Sequence, residues 1–96
     1  MTLKTTSPAF AFTANEVVNE MSEQDRRTYL AGLVDGLAQG RWIKDKPDTA
    51  GVQCVYNWYY QGGEAVHTTI NQWFSRHLDT EANGLLYILI KQECGE

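Results

Sequence analysis

The stretch that decides the fold runs from Ser22 to Trp42 and reads SEQDRRTYLAGLVDGLAQGRW. Its apolar residues recur at helical spacing, so the pattern predicts one long helix with one side facing the core. Ser22 is the expected first residue, because Asp25 follows three positions later in the S-x-x-D pattern of a capping box. The polar side of this helix is narrow and carries only Thr28, Asp35 and Gln39. A helix with so little polar surface is expected in the middle of a small helical domain.

Three glycines, Gly32, Gly36 and Gly40, recur every four residues along the same helix. A glycine in a helix interior costs about 1 kcal/mol relative to alanine. We interpret the stripe as the place where one or two neighbouring helices cross this one closely. The sequence lacks the G-x-G-x-x-G order of a phosphate-binding loop, so that role is not expected.

Shorter helices are predicted on both sides of the long one. Their expected bounds are Asn15 to Met21, Glu64 to His77, and Glu81 to Cys94. Thr13 and Asp79 are the expected caps of the first and the last, and Gly95 ends the last. The run Leu85 to Ile90 is apolar nearly all round, which predicts burial on several sides.

Residues 51–61 admit two interpretations. Alternating apolar residues favour a strand, whereas helical spacing places Cys54, Val55, Trp58 and Tyr59 on one face, with Asp48 as a cap. We choose the helix, because the surrounding elements are helical. The predicted fold is therefore all-α, with four to five helices around the long central one. Residues 14–96 form the single domain, and residues 1–13 are expected to be a disordered tail.

Composition excludes several classes of function. Eight Lys and Arg against twelve Asp and Glu give the chain a net charge of −4, which argues against a nucleic-acid partner. No apolar run is long enough to span a membrane. The nucleophile motif G-x-S-x-G is missing, and Glu64 with His67 is a lone E-x-x-H pair, short of a di-iron set. We therefore expect no catalytic residues, no metal and no cofactor.

The two cysteines, Cys54 and Cys94, lie far apart and belong to no C-x-x-C motif, which disfavours redox catalysis and a zinc site. Such a pair in a small exported chain favours a structural disulfide. The alternative is two reduced, buried thiols in a cytosolic protein.

Four aromatic residues lie within five positions before Gly62-Gly63: Tyr56, Trp58, Tyr59 and Tyr60. Tyrosine and tryptophan are enriched at binding hot spots. Tyr59 and Tyr60 are the predicted outward anchors for a protein partner, and Trp58 is expected inside. If the tyrosines instead fill the core, the binding face should lie along Thr28, Asp35 and Gln39.

The segment YLAGLVDGL, from Tyr29 to Leu37, resembles the Y-hydrophobic-x-G-hydrophobic-x-D-G segment of the type VI secretion immunity proteins of the resistance-associated/Tai group. Trp73-Phe74 and His77-Leu78-Asp79 are similar to that family's aromatic helix end and turn, although Leu78 replaces the turn proline. The resemblance implies a helical periplasmic protein in which Cys94 pairs with Cys54.

The same resemblance implies a function: binding and blocking a toxic effector enzyme. The partner would be that effector or a second copy of the chain, as a homodimer. A periplasmic acid chaperone, matched only in size and cysteine count, and a subunit of an enzyme are the alternatives. Export is expected although no signal peptide is visible, and reduced cysteines would indicate the cytoplasm instead.

Overall fold

The computed structural model describes residues 11–96, which form a helical bundle. A π-helical turn comes first, and four α-helices follow: Glu16–Glu20 (the π-turn), Glu23–Asp45 (α1), Ala50–Gln61 (α2), Gly63–Ser75 (α3) and Ala82–Cys94 (α4). The only β-pairing in the described range is an isolated bridge between Thr13 and Glu81. The prediction of an all-α bundle around one long helix is confirmed.

The longest helix, α1, begins where the sequence predicts. The Ser22 side chain accepts a hydrogen bond of 3.1 Å from the backbone N–H of Asp25 and so caps the first turn. Leu30, Val34 and Ala38 are fully buried on its inner side. The helix extends three residues beyond Trp42, because Pro47 is the first residue unable to continue the hydrogen-bond ladder.

The glycine stripe of α1 does not lie in a helix crossing, and that interpretation is wrong. Gly32, Gly36 and Gly40 are exposed, and a Cβ atom added to any of them would meet no other atom within 4 Å. The stripe lies away from the side of α1 that carries Leu30 and Val34, which belong to the buried core.

Residues 50–61 form a helix, so the choice of helix over strand is confirmed. The N-cap position is occupied by Thr49, which makes no side-chain capping bond, and not by Asp48 as predicted. The Asp48 carboxylate, one residue earlier, accepts a 2.9 Å hydrogen bond from the backbone N–H of Ala50. Gly51, Val55 and Tyr59 face inward, one turn apart. Cys54 forms the predicted disulfide with Cys94, with 5.8 Å between the two Cα atoms. The disulfide ties α2 to the last turn of α4.

Helices α3 and α4 close the core. Val66, Ile70 and Phe74 are buried at helical spacing along α3. The Trp73 indole N–H donates a 3.0 Å hydrogen bond to the backbone oxygen of Leu85, which joins the two helices. Gly95 follows the last residue of α4 with a φ of 72°, a conformation that suits glycine, so the predicted end is confirmed.

One prediction for α4 is wrong, and another holds for part of the helix. Asp79 does not cap the helix; Glu81 occupies the cap position, without a side-chain hydrogen bond. The backbone oxygen of Phe12 instead accepts a 2.8 Å hydrogen bond from the N–H of Ala82. In the run from Leu85 to Ile90, for which burial on several sides is predicted, the buried residues are Leu85, Leu86, Leu89 and Ile90, whereas Tyr87 and Ile88 are 51% and 44% exposed.

The N-terminal segment packs against the start of α4. Residues 1–10, most of the predicted disordered tail, lie outside the described residues. Of the remainder, Phe12 accepts a backbone hydrogen bond from Ala82, and Thr13 forms the β-bridge with Glu81. The Thr13 hydroxyl accepts from the N–H of Glu16, and the Glu16 carboxylate accepts from the N–H of Thr13. This reciprocal pair is a capping box, so Thr13 is the cap that the sequence predicts.

Candidate partner-binding surface

The outer face of α2 presents two tyrosines. Tyr56 and Tyr60 are four residues apart, so their side chains lie one above the other on the same face of the helix. Their rings stack with centroids 6.0 Å apart and planes 23° apart. They remain 36% and 53% exposed. The pair is therefore an ordered aromatic surface that is open to solvent.

An acidic residue of α1 borders this pair. The Tyr60 hydroxyl donates a hydrogen bond of 3.4 Å to the Asp35 carboxylate. Partial burial, and then the negative charge of Asp35, raise the pKa of Tyr60 above its usual value. A tyrosine phenol is protonated at neutral pH, so this hydroxyl is a hydrogen-bond donor there. We call Tyr56, Tyr60 and Asp35 the Tyr–Asp patch.

Tyr59 does not belong to the patch, and its prediction as an outward anchor is wrong. Only 5% of it is exposed, and its ring meets the His67 imidazole edge-on with centroids 5.5 Å apart. Burial raises the pKa of its phenol. Residue 59 follows Val55 by four positions, so it lies on the inner side of α2. Trp58 is half-buried and packs against the core, in keeping with its expected inward position.

The outer side of α1 carries three polar residues that the sequence offered as a second binding face. Thr28, Asp35 and Gln39 are all exposed there. Asp35 belongs to both surfaces, because it also accepts from Tyr60. The two predicted faces therefore meet at Asp35 and form one continuous surface across α1 and α2.

A polar cavity of about 210 Å³ lies between α1 and α3, lined by Arg26, Arg27, Glu64 and His67 among others. Arg27 holds both carboxylate oxygens of Glu64, at 2.9 and 3.0 Å, and this hydrogen-bonded contact lowers the pKa of Glu64. Burial, followed by the charge of Arg27, lowers the pKa of His67. The E-x-x-H pair thus faces an arginine, a cation that repels metal ions.

Within residues 11–96, no group of three or more His, Cys, Asp or Glu residues is arranged to hold a metal ion. Glu64 is largely exposed in its pair with Arg27, so solvent and salt screen this contact. The cavity therefore has charged walls that already neutralise one another.

Tyr56 is the residue of the patch that the sequence analysis missed. The signal was present, because Tyr56 and Tyr60 share a face once residues 50–61 are a helix. The pair Tyr59 and Tyr60 was chosen by adjacency in sequence. Adjacent residues of a helix point about 100° apart, so only one of the two can face outward fully.

No helix in the described part of the chain combines the length and the apolar character that crossing a membrane requires. The chain matches no family model, no curated protein and no solved structure. Membership of the type VI immunity family therefore stays a prediction, based on the resemblance of the segment from Tyr29 to Leu37 and of the residues from Trp73 to Asp79.

Proposed function

We propose that the protein binds another protein through the Tyr–Asp patch. The observation that carries this proposal is the stacked, exposed pair of Tyr56 and Tyr60 on one face of α2. Tyrosine supplies a large contact area with few rotatable bonds, which is why it is common at binding hot spots. The hydroxyl of Tyr60 and the carboxylate of Asp35 add polar groups for recognition.

The rigidity of α2 supports the proposal. Its inner side is fixed by buried Val55 and Tyr59, and Cys54 ties it covalently to α4. Each tyrosine of the patch is also restrained by a neighbouring ring, since Tyr60 packs edge-on against Tyr59 with centroids 4.9 Å apart. A surface ordered before binding loses less conformational entropy on association.

The resemblance to immunity proteins gives the finer proposal: the partner is a type VI secretion effector enzyme, met in the periplasm and blocked by this chain. A disulfide fits such an oxidising compartment. The charge of Asp35 and the net charge of −4 favour a partner surface that presents Arg or Lys beside the aromatic rings.

The test begins with a photo-crosslinking residue at position 60 and, as a matched control, at position 87. Tyr87 is an exposed tyrosine on another helix, with nearly the same exposed fraction as Tyr60. In periplasmic extract of the native host, position 60 should capture a protein that position 87 does not. Capture of the same proteins at both positions would contradict a patch-specific partner.

The captured protein is then purified and titrated by calorimetry. Replacing both Tyr56 and Tyr60 with Ala should weaken binding by about 30-fold or more, as for hot-spot residues. Tyr87→Ala should leave the affinity unchanged. Equal binding by the Tyr56 and Tyr60 double variant would overturn the proposal. Whether the captured protein is an effector enzyme, and whether the chain inhibits it, decides the finer proposal separately.

A further inference from the structure

A groove of about 280 Å³ lies between α1 and α4. Gly36 and Gly40 form its floor, and Leu37, Tyr87 and Ile90 form its apolar walls. The floor is open because a Cβ at either glycine would meet nothing within 4 Å. The groove is close in size to the lower end of small-molecule pockets and is lined mainly by apolar groups, as such pockets are.

One end of this groove is positively charged. Arg41, Lys44 and Lys91 line it. The Arg41 guanidinium is already engaged by the Asp45 carboxylate at 2.7 Å and by the backbone oxygen of Gly95 at 2.7 Å. Lys44 and Lys91 are more exposed than Arg41. The Lys44 ammonium lies 4.0 Å from a carboxylate oxygen of Asp45, and the Lys91 ammonium lies 5.5 Å from the ring centroid of Tyr87. These two lysines are the cations that a ligand in the groove could reach.

A carboxylate of the chain itself occupies this charged end. The Glu96 side chain forms an ion pair with the Lys91 ammonium. The hydrogen bond to Lys91 lowers the pKa of Glu96, and the positive charges of Lys91, Lys44 and Arg41 lower it further. Both side chains of the ion pair are solvent-accessible, at 38% and 75%, and such pairs contribute little net stability, so an external carboxylate can replace Glu96 at small cost.

We infer that this groove binds a small amphipathic carboxylate, whose apolar body lies over Gly36 and Gly40 between Leu37 and Tyr87, and whose carboxylate replaces that of Glu96 beside Lys91. The apolar walls supply the driving force by burying the ligand's hydrocarbon. The lysines select an anion over a cation or a neutral molecule. Glu96 competes for the same lysine and so sets the affinity.

The test uses octanoate as the probe, with octylamine as the matched cationic probe of the same chain length. Two-dimensional NMR of the ¹⁵N-labelled protein follows the amides of Gly36 and Gly40 during titration. Octanoate below its micelle concentration should shift both amides saturably, and octylamine should not. Equal binding of octylamine and octanoate, or no saturable shift with octanoate, would overturn the inference.

Variants test the two halves of the site. Glu96→Gln should tighten octanoate binding about threefold, since removing an exposed competing charge changes affinity by a factor of a few. Lys91→Gln should weaken it by a similar factor. Gly40→Leu should fill the floor, where a Cβ meets no atom within 4 Å, and abolish the shift of the Gly36 amide. Circular dichroism and thermal unfolding check that the variant keeps its fold.

Two results would contradict the site even if octanoate binds somewhere on the protein. The first is unchanged affinity in both Glu96→Gln and Gly40→Leu. The second is a chemical shift of the Gly36 amide that changes with protein concentration and not with octanoate. That result would show that the groove contacts a second copy of the chain.

Discussion

Glycines occur in two contrasting regions of this bundle. Along the outer side of α1, Gly32, Gly36 and Gly40 face open space. At the two ends of α2, glycines lie close to other atoms: flexible side-chain ends at Gly51, and a helix backbone as well as a side chain at Gly62. A Cβ at Gly51 would approach the Arg41 side chain and lie 2.7 Å from a carboxylate oxygen of Asp45. A Cβ at Gly62 would clash with the Val66 side chain and lie 2.6 Å from the backbone oxygen of Trp58.

The difference teaches that regular spacing is a poor guide to close packing. The stripe of α1 is periodic and unpacked, whereas Gly51 and Gly62 belong to no periodic stripe and lie close to other atoms. What matters is whether another element approaches the residue, and that is decided by the tertiary arrangement. Helix α2, whose two ends carry the closely packed glycines, also carries Cys54 of the disulfide.

The largest expected effect on stability comes from removing the disulfide that joins α2 to α4. Replacing Cys54 and Cys94 with Ser opens a covalent loop whose residues are 40 apart, and chain entropy predicts a loss of about 4 kcal/mol in the free energy of unfolding. That is a large part of the total for a small domain. Urea unfolding measures it, with the wild type in reductant as the control. Unchanged stability on reduction would show that the helices hold without the bond.

The second effect tests the tight end of α2. Gly62→Ala should lower the free energy of unfolding by about 1–3 kcal/mol, the usual cost of overpacking. The backbone itself accepts alanine, since φ at Gly62 is −76°, so the loss reports packing against Val66 and Trp58 alone. Thermal unfolding measures it. Stability equal to wild type would show that α2 and α3 can move apart at no cost.

The smallest effect has the opposite sign. Gly36→Ala should raise the stability by about 1 kcal/mol, because alanine is the better helix former and its methyl group meets no atom within 4 Å. For a domain of this size the melting temperature should rise by about 4–8 °C. Gly62→Ala is the matched comparison, since the same methyl group is added at a packed glycine. A loss of stability in Gly36→Ala would instead support the interpretation that another helix crosses this stripe closely.

Most of the fold could be predicted from local signals. Nearby residues predict the helical period, the cap at Ser22 and the helix end at Gly95, and the number of cysteines predicts the pairing of Cys54 with Cys94. The structure confirms each of these. The errors concern orientation. Whether Gly36 is packed and whether Tyr59 points inward depends on which helix lies opposite, and the sequence of one helix carries little information on that.

The candidate surface was predicted in part for the same reason. Tyr60 and Asp35 were each selected from the sequence, but on two separate faces. Their hydrogen bond exists only because α1 and α2 pack side by side. Tyr56 entered the surface once residues 50–61 were fixed as a helix. Local pattern thus finds the right side chains, and tertiary packing decides which of them act together.

Helix α4 is held at both of its ends by distant parts of the chain. The oxygen of Phe12 binds the first N–H, and the disulfide of Cys94 closes the last turn. A helix ordinarily frays from its ends, and its terminal amides exchange with deuterium long before the protein unfolds. Here the first turn cannot open without releasing the N-terminal segment, and the disulfide limits how far the last turn can move away from α2. The amides of α4 should therefore exchange as one slow group, and α4 should be the last element to lose its structure.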